Sequence, residues 1–207
     1  ACERHDILLG TYYSLLDWGD DRDPDASYTD EVLHPQVVDL VERHGSVMLW
    51  GDGYWARHAD DRKTGELLAS IRDIDSDVLV SDRWWAPAAE VPDGCPPIVR
   101  TFDHHAPDDI VEGPWELIRG ISHSFGYNRA ERPEQHLTGF DIVALFTEVV
   151  AKGGHLLINV GPDADGTIPD IQAGPLRDAG SWIRRFEPAL EQTSPWTTWG
   201  DDRVRYL

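Results

Sequence analysis

Short apolar runs alternate with amphipathic helices along most of this chain, and the runs stop at polar residues. Val47-Met48-Leu49-Trp50 leads to Asp52, Val78-Leu79-Val80 to Asp82-Arg83, Ile98 to Phe102 leads to Asp103, and Leu156-Leu157-Ile158 to Asn159. Strands without polar alternation are buried on both faces, the condition of a parallel sheet covered by helices. The patterning predicts strands over 7–14, 46–51, 77–81, 98–102, 116–121 and 155–160. It predicts helices through Val32 to Val41, ending at Gly45, through Leu67 to Ile74, through Phe140 to Val150, closed by Gly153-Gly154, and over 170–186. Barrel enzymes carry their chemistry at the C-terminal ends of strands. Asp17, Asp52, Asp82-Arg83, Asp103 and Asn159 all follow strands directly. Five or six strands are visible, not eight.

Asp52 stands out among these. It has Gly51 and Gly53 on either side, with Trp50 and Trp55 close by. A carboxylate at the end of a buried strand is costly unless it has partners. It reads either as a turn aspartate or as a carboxylate working on a ligand with an apolar face, such as a sugar ring. Nine tryptophans in 207 residues is a high count. Some must be core, and the placement of Trp18, Trp50, Trp84, Trp85 and Trp115 beside strand ends suggests that several line a cleft.

Composition excludes several classes. A net charge of −20 argues against binding nucleic-acid phosphates. The acidic excess, with Lys63 and Lys152 the only lysines among 18 basic residues, resembles the surface of proteins from salt-loving organisms. No apolar run approaches the ~20 residues of a membrane span. The start lacks the basic-then-apolar pattern of a signal peptide, and it runs straight into a strand as if in mid-fold. Cys2 and Cys95 give no disulfide framework and no metal motif, although one bridge between them stays open.

The acidic stretches are candidate metal sites. Residues 161–167, Gly-Pro-Asp-Ala-Asp-Gly-Thr, lack the third acidic position and closing glutamate of a calcium loop, and read as a turn. His104 and His105 are adjacent, so in a strand they point to opposite faces. Gly153-Gly154 lacks the ending of a phosphate loop, and no Gly-x-Ser-x-Gly elbow occurs. No cofactor or metal is expected. Paired carboxylates remain, and glycoside hydrolysis needs two. Asp52 is the candidate nucleophile. Arg83 is placed to steer a carboxylate or a sugar hydroxyl, or to pair structurally with Asp82 or Asp52. Asp103 and Glu116 are both candidate acids, Glu116 having the apolar neighbour Trp115 that would raise its pKa, or a structural pairing with Arg119 or Arg129.

With these segments in hand, the chain resembles the α-L-fucosidases of glycoside hydrolase family 29. The matching stretches occur in the family's order: Gly10-Thr11-Tyr12-Tyr13-Ser14-Leu15-Leu16-Asp17-Trp18, Leu49-Trp50-Gly51-Asp52-Gly53, Ser81-Asp82-Arg83-Trp84, Trp115-Glu116, Ser124-Phe125-Gly126-Tyr127-Asn128, and Lys152 through Pro162 with Asp165-Gly166-Thr167-Ile168-Pro169. Ser81 stands where the family has asparagine. The resemblance implies a (β/α)8-like barrel and retaining hydrolysis of terminal α-L-fucose. Asp52 falls on the family's nucleophile, and Tyr13, Trp50, Arg83 and Phe125 fall on sugar-contacting positions. The acid/base is implied at Asp103 by one family pattern and at Glu116 by another, with Glu116 preferred because aspartate must reach further. Retention places the two carboxyls roughly 5–5.5 Å apart.

The resemblance also implies missing parts. The family's first three strands, with a histidine pair that holds fucose hydroxyls, have no counterpart here. The expectation is therefore an α/β chain with a partial (β/α)8-like, TIM-type barrel over residues 1–192. Residues 193–207 are read as a linker and the first strand of a truncated β-sandwich. The implied partner is a fucosylated glycan, with no nucleic acid and no membrane, and homo-oligomerisation is left open. Poor activity of this chain alone is expected. The alternative function is a catalytically impaired fragment or a fucose-binding remnant.

Overall fold

In the computed structural model, residues 2–23, 26–56, 61–85, 93–190, 193–201 and 203–206 are described. The chain divides into two compact units, Ala1–Arg100 and Thr101–Leu207.

The first unit holds strands β1 (Gly10–Ser14), β2 (Met48–Asp52), β3 (Leu79–Ser81) and the start of β4 (Ile98–Asp103). All pair in parallel, with Tyr12 opposite Trp50, Ser14 opposite Asp52, Leu49 opposite Val80, and Ser81 opposite Val99. The connections from β1 to β2 and from β2 to β3 are helical. A short turn α1 (Ala26–Tyr28) and a π-helical stretch (Thr29–Leu33) lead into α2 (His34–His44), and α3 (Thr64–Ile74) links β2 to β3. Leu33, Val37 and Val41 recur every fourth residue and pack with Leu67, Leu68 and Ile71 of α3 against Leu49, Val78 and Val80. β1 begins later than the predicted residue 7. Ahead of it the Val47 N–H still reaches the Leu9 carbonyl at 2.9 Å, but the Ile7 N–H turns back to the Cys2 carbonyl at 3.1 Å, and Ile7 and Leu8 lie exposed.

The second unit contains the end of β4, then β5 (Trp115–Gly120), α4 (Gly139–Ala151), β6 (His155–Asn159) and α5 (Asp170–Phe186). β5 and β6 pair in parallel from Glu116–His155 through Gly120–Asn159. Thr138 caps α4: its hydroxyl accepts from the Asp141 N–H at 3.2 Å while Asp141 Oδ2 accepts the Thr138 N–H at 2.8 Å. The other end of α4 closes through Gly153 N–H to Val150 O and Gly154 N–H to Val149 O, each 2.9 Å. α5 spans the predicted 170–186. Parallel strand–helix alternation in both units is consistent with part of a TIM-type barrel.

Buried tryptophan rather than a tryptophan-lined cleft fills these cores. Trp84 and Trp85 belong to the apolar cluster of the first unit and Trp115 to that of the second, while Trp18 projects into solvent at 95% exposure. Half-buried Trp50 lies two residues before Asp52, on the same face of β2. The 161–167 stretch is a turn, with Asp163 Oδ1 accepting the Asp165 and Thr167 N–H groups at 3.0 and 2.9 Å. Among the described residues no three acidic, histidine or cysteine side chains gather to hold a metal, and no helix is long and apolar enough to cross a membrane.

Candidate active site

Asp52 is the last residue of β2, and the backbone that carries it is held from several sides. Leu15 donates its N–H to the Asp52 carbonyl at 2.7 Å. The pairing of β2 with β3 ends at Leu49–Val80, and beyond it the Ser81 hydroxyl takes over. It accepts the Gly51 N–H at 3.1 Å and donates to the Gly51 carbonyl at 3.2 Å. Ser81 thus ties β3 to the residue before Asp52. Gly51 has no room for a side chain, because a Cβ there would stand 2.5 Å from the Trp84 indole. Gly53 turns the chain at φ +98°, a conformation that side-chain-bearing residues avoid. Its carbonyl accepts from the buried Arg62 guanidinium at 3.1 Å, and His34 Nε2 lies 2.8 Å from the Arg62 carbonyl.

Three side chains meet the Asp52 carboxylate or each other around it. Tyr12 Oη donates to Oδ2 at 2.9 Å. Arg83 Nη1 lies 3.5 Å from Oδ1, a buried oxygen that accepts no hydrogen bond among the described residues. The Arg83 guanidinium also lies over the Trp50 ring, 4.8 Å from its centroid, and Tyr12 stacks on that ring at 5.7 Å with planes 18° apart. Indole, phenol and guanidinium therefore form one packed wall on the face that Asp52 shares. Burial, followed by the hydrogen bond to Asp52 and its negative charge, pushes the Tyr12 phenol up to about 12, with Arg83 opposing. Tyr12 accordingly remains a hydrogen-bond donor at any ordinary pH.

Tyr13 is not part of this group. Strand alternation turns it to the opposite face, where its hydroxyl donates to Gln36 Oε1 at 2.9 Å and its ring packs on the core. Two adjacent tyrosines are ambiguous in a sequence. Only the register that sets Tyr12 opposite Trp50 decides which one shares a face with Asp52.

In the second unit, Asp103 ends β4 and is exposed. The next residue, His104, has φ +64°, and the His105 N–H closes a tight turn onto the Asp103 carbonyl at 2.7 Å. The His104 ring packs on Phe125, centroids 5.3 Å apart. Phe125 lies in the loop after β5, and its carbonyl accepts from the amide of Asn159, the last residue of β6. The same loop is tied at Ser124, whose N–H donates to Glu131 Oε1 at 2.7 Å. Burial works to raise the Glu131 carboxyl, but hydrogen bonds from Ser122 and Ser124 outweigh it and hold the group below its usual range. Asp103, Phe125 and Asn159 thus gather at C-terminal strand ends. Glu116 does not join them. It is the second residue of β5, paired with the first of β6, and lies about 13 Å along the strand before Gly120.

The arrangement around Asp52 suits attack on an electrophilic carbon: a positioned carboxylate beside a fixed cation and a flat aromatic wall. Comparison with known proteins gives the family. The family model described as alpha-L-fucosidase matches residues 1–187. The alpha-L-fucosidase of Dictyostelium discoideum is 28% identical over 206 residues, covering 92% of this chain and 43% of that protein. Alpha-L-fucosidase isoenzyme 1 from Paenibacillus thiaminolyticus superimposes with a TM-score of 0.85 at 25% identity, over 99% of this chain and 55% of that one. The Thermotoga maritima alpha-fucosidase, solved in complex with a mechanism-based inhibitor, gives 0.75 at 31% identity, over 95% and 46%. This chain spans less than half the length of the curated relatives it matches. It belongs to the alpha-L-fucosidase family.

Proposed function

We propose that this chain carries the catalytic strand ends of a retaining α-L-fucosidase that removes terminal α-L-fucose from glycans. The observation that carries the reading is the Asp52 carboxylate at the C-terminal end of β2, with Tyr12 on one oxygen and Arg83 beside the other. Asp52 attacks the anomeric carbon, the aglycone leaves with a proton from a carboxylic acid, and a fucosyl ester of Asp52 results. Water then attacks the same carbon, gives its proton to the second carboxylate, and Asp52 departs as the free anion. Trp50 and Phe125 face the apolar side and methyl group of the sugar, and Arg83 steers its hydroxyls.

Asp103 takes the acid/base role in preference to Glu116. Support comes from its place at the end of β4, next to the residue that packs on Phe125, whereas Glu116 is the second residue of β5, far from its C-terminal end. Catalytic residues of barrels come from C-terminal strand ends. The test is proton NMR of the first-formed sugar during hydrolysis of 4-nitrophenyl α-L-fucoside. Retention requires that α-L-fucose appear before mutarotation. Initial release of the β anomer would overturn the double-displacement reading.

A further inference from the structure

Tyr12 has no role in the reading above beyond contact with Asp52, and the sugar-contacting tyrosine implied by family resemblance is its neighbour. Its geometry is nonetheless specific. The ring is fixed by stacking on Trp50 and the hydroxyl points at one oxygen of the carboxylate, at 2.9 Å. The other oxygen, Oδ1, is buried and receives no hydrogen bond among the described residues, with Arg83 Nη1 3.5 Å away. The two oxygens of Asp52 are therefore inequivalent before any substrate arrives.

We infer that Tyr12 is the positioning residue that promotes departure of Asp52 from the sugar in the second half of the reaction. This rests on the retaining reading proposed above. The physical reason is the change in charge on the carboxylate. A hydrogen bond to a full carboxylate is stronger than one to an ester oxygen. Tyr12 therefore stabilises free Asp52 most, each transition state partly, and the ester least. As water adds to the anomeric carbon, the bond from that carbon to Asp52 breaks and its electron pair returns to the carboxylate. The water proton goes to the general base. Tyr12 keeps its own proton throughout, as a phenol held near 12 must, and only strengthens its hydrogen bond as charge builds. Removing the hydroxyl slows breakdown of the ester while sparing its formation.

The test compares wild type with Tyr12→Phe, which keeps the ring stacked on Trp50, using an activated aryl α-L-fucoside. The expected result is a fall in kcat of about 10- to 100-fold, the range for one hydrogen bond to a charged group. KM should fall at least in step, so that kcat/KM is unchanged or raised, and intact-mass spectrometry should find the fucosyl adduct accumulating. A second variant carrying 3-fluorotyrosine at position 12, a better donor, should not accumulate the adduct. Equal losses of kcat and kcat/KM, or an unchanged kcat, would overturn the inference alone. A separate readout does not depend on turnover. The Cζ carbon resonance of Tyr12 should move on Asp52→Asn, and an unmoved resonance also overturns the inference. A wild-type chain that forms no adduct with any activated fucoside overturns the retaining reading, and this role with it.

Discussion

Replacing Asp52 with glycine should reduce turnover of aryl fucosides by on the order of 10⁴-fold or more, since no other carboxylate stands at the end of β2 to form the ester. The fold should survive, because the carboxylate is partly solvent-exposed and the backbone at this point is held by Leu15 and Ser81 rather than by the Asp52 side chain. Loss of the side chain also leaves a space bounded by Tyr12, Trp50 and Arg83, two of which are already fixed against each other by stacking. Added azide should enter that space and restore turnover, giving β-L-fucosyl azide, the product of a single displacement. Kinetics with and without azide, together with the anomeric configuration of the product, check this. An Asp52→Gly protein that retains more than a few per cent of wild-type activity would remove Asp52 from the chemistry.

The second large effect concerns stability. Lys152 is almost wholly buried, and its ammonium donates to the Pro107 carbonyl at 2.7 Å and to Glu148 Oε1 at 2.6 Å. It also lies 4.0 Å from the centroid of Trp199, which Arg205 approaches on its own account at 4.8 Å. Arg205 Nη2 is 3.8 Å from Glu148 Oε2, so one carboxylate faces both cations. Lys152→Met preserves the length of the side chain but leaves the Pro107 carbonyl without its donor and Glu148 with Arg205 alone. It should cost about 3–5 kcal/mol in urea unfolding, the range for breaking a buried ion pair from one side. Glu148→Gln, which keeps an acceptor for Lys152, should cost distinctly less. Trp199 emission should shift to the red in Lys152→Met as its cation is lost. A loss below 1 kcal/mol would mean that the buried lysine is tolerated rather than required.

Lys152 also shows how a sequence can expose a motif without its reason. Lys152-Gly153-Gly154 stood out beside a helix end, and its glycines do close α4. That the lysine turns inward could not be read, because its partners Pro107 and Trp199 are each more than forty residues distant in the chain. Helix and strand positions were legible for the opposite reason. The runs through Val37–Val41, Leu67–Ile71 and 170–186 carry their periodicity locally, and the local pattern is what packs.

The candidate site was legible to the extent that strand ends were. Asp52, Arg83, Asp103 and Asn159 each follow an apolar run, and the structure sets each at or just beyond the C-terminal end of its strand. What could not be read depended on register and direction. Tyr12 and Tyr13 differ only in strand parity, which β2 fixes. Glu116 looked equivalent to Asp103 as an acid beside a strand, yet one is the second residue of its strand and the other finishes it. A place beside a strand end did not tell core tryptophans from cleft ones, because large aromatics serve both. Trp84 is pressed against Gly51, and Trp115 donates through Nε1 to the Lys152 carbonyl at 3.2 Å.

The central claim is that Asp52 becomes covalently attached to the sugar. Incubating the chain with 2-deoxy-2-fluoro-α-L-fucosyl fluoride, which forms the ester but hydrolyses it slowly, should add the mass of one fluorofucosyl group. Peptide mapping should place that group on the segment containing Asp52, and Asp52→Asn should abolish the label. Label on any other carboxylate, or an unlabelled protein that nonetheless hydrolyses fucosides, would contradict the account.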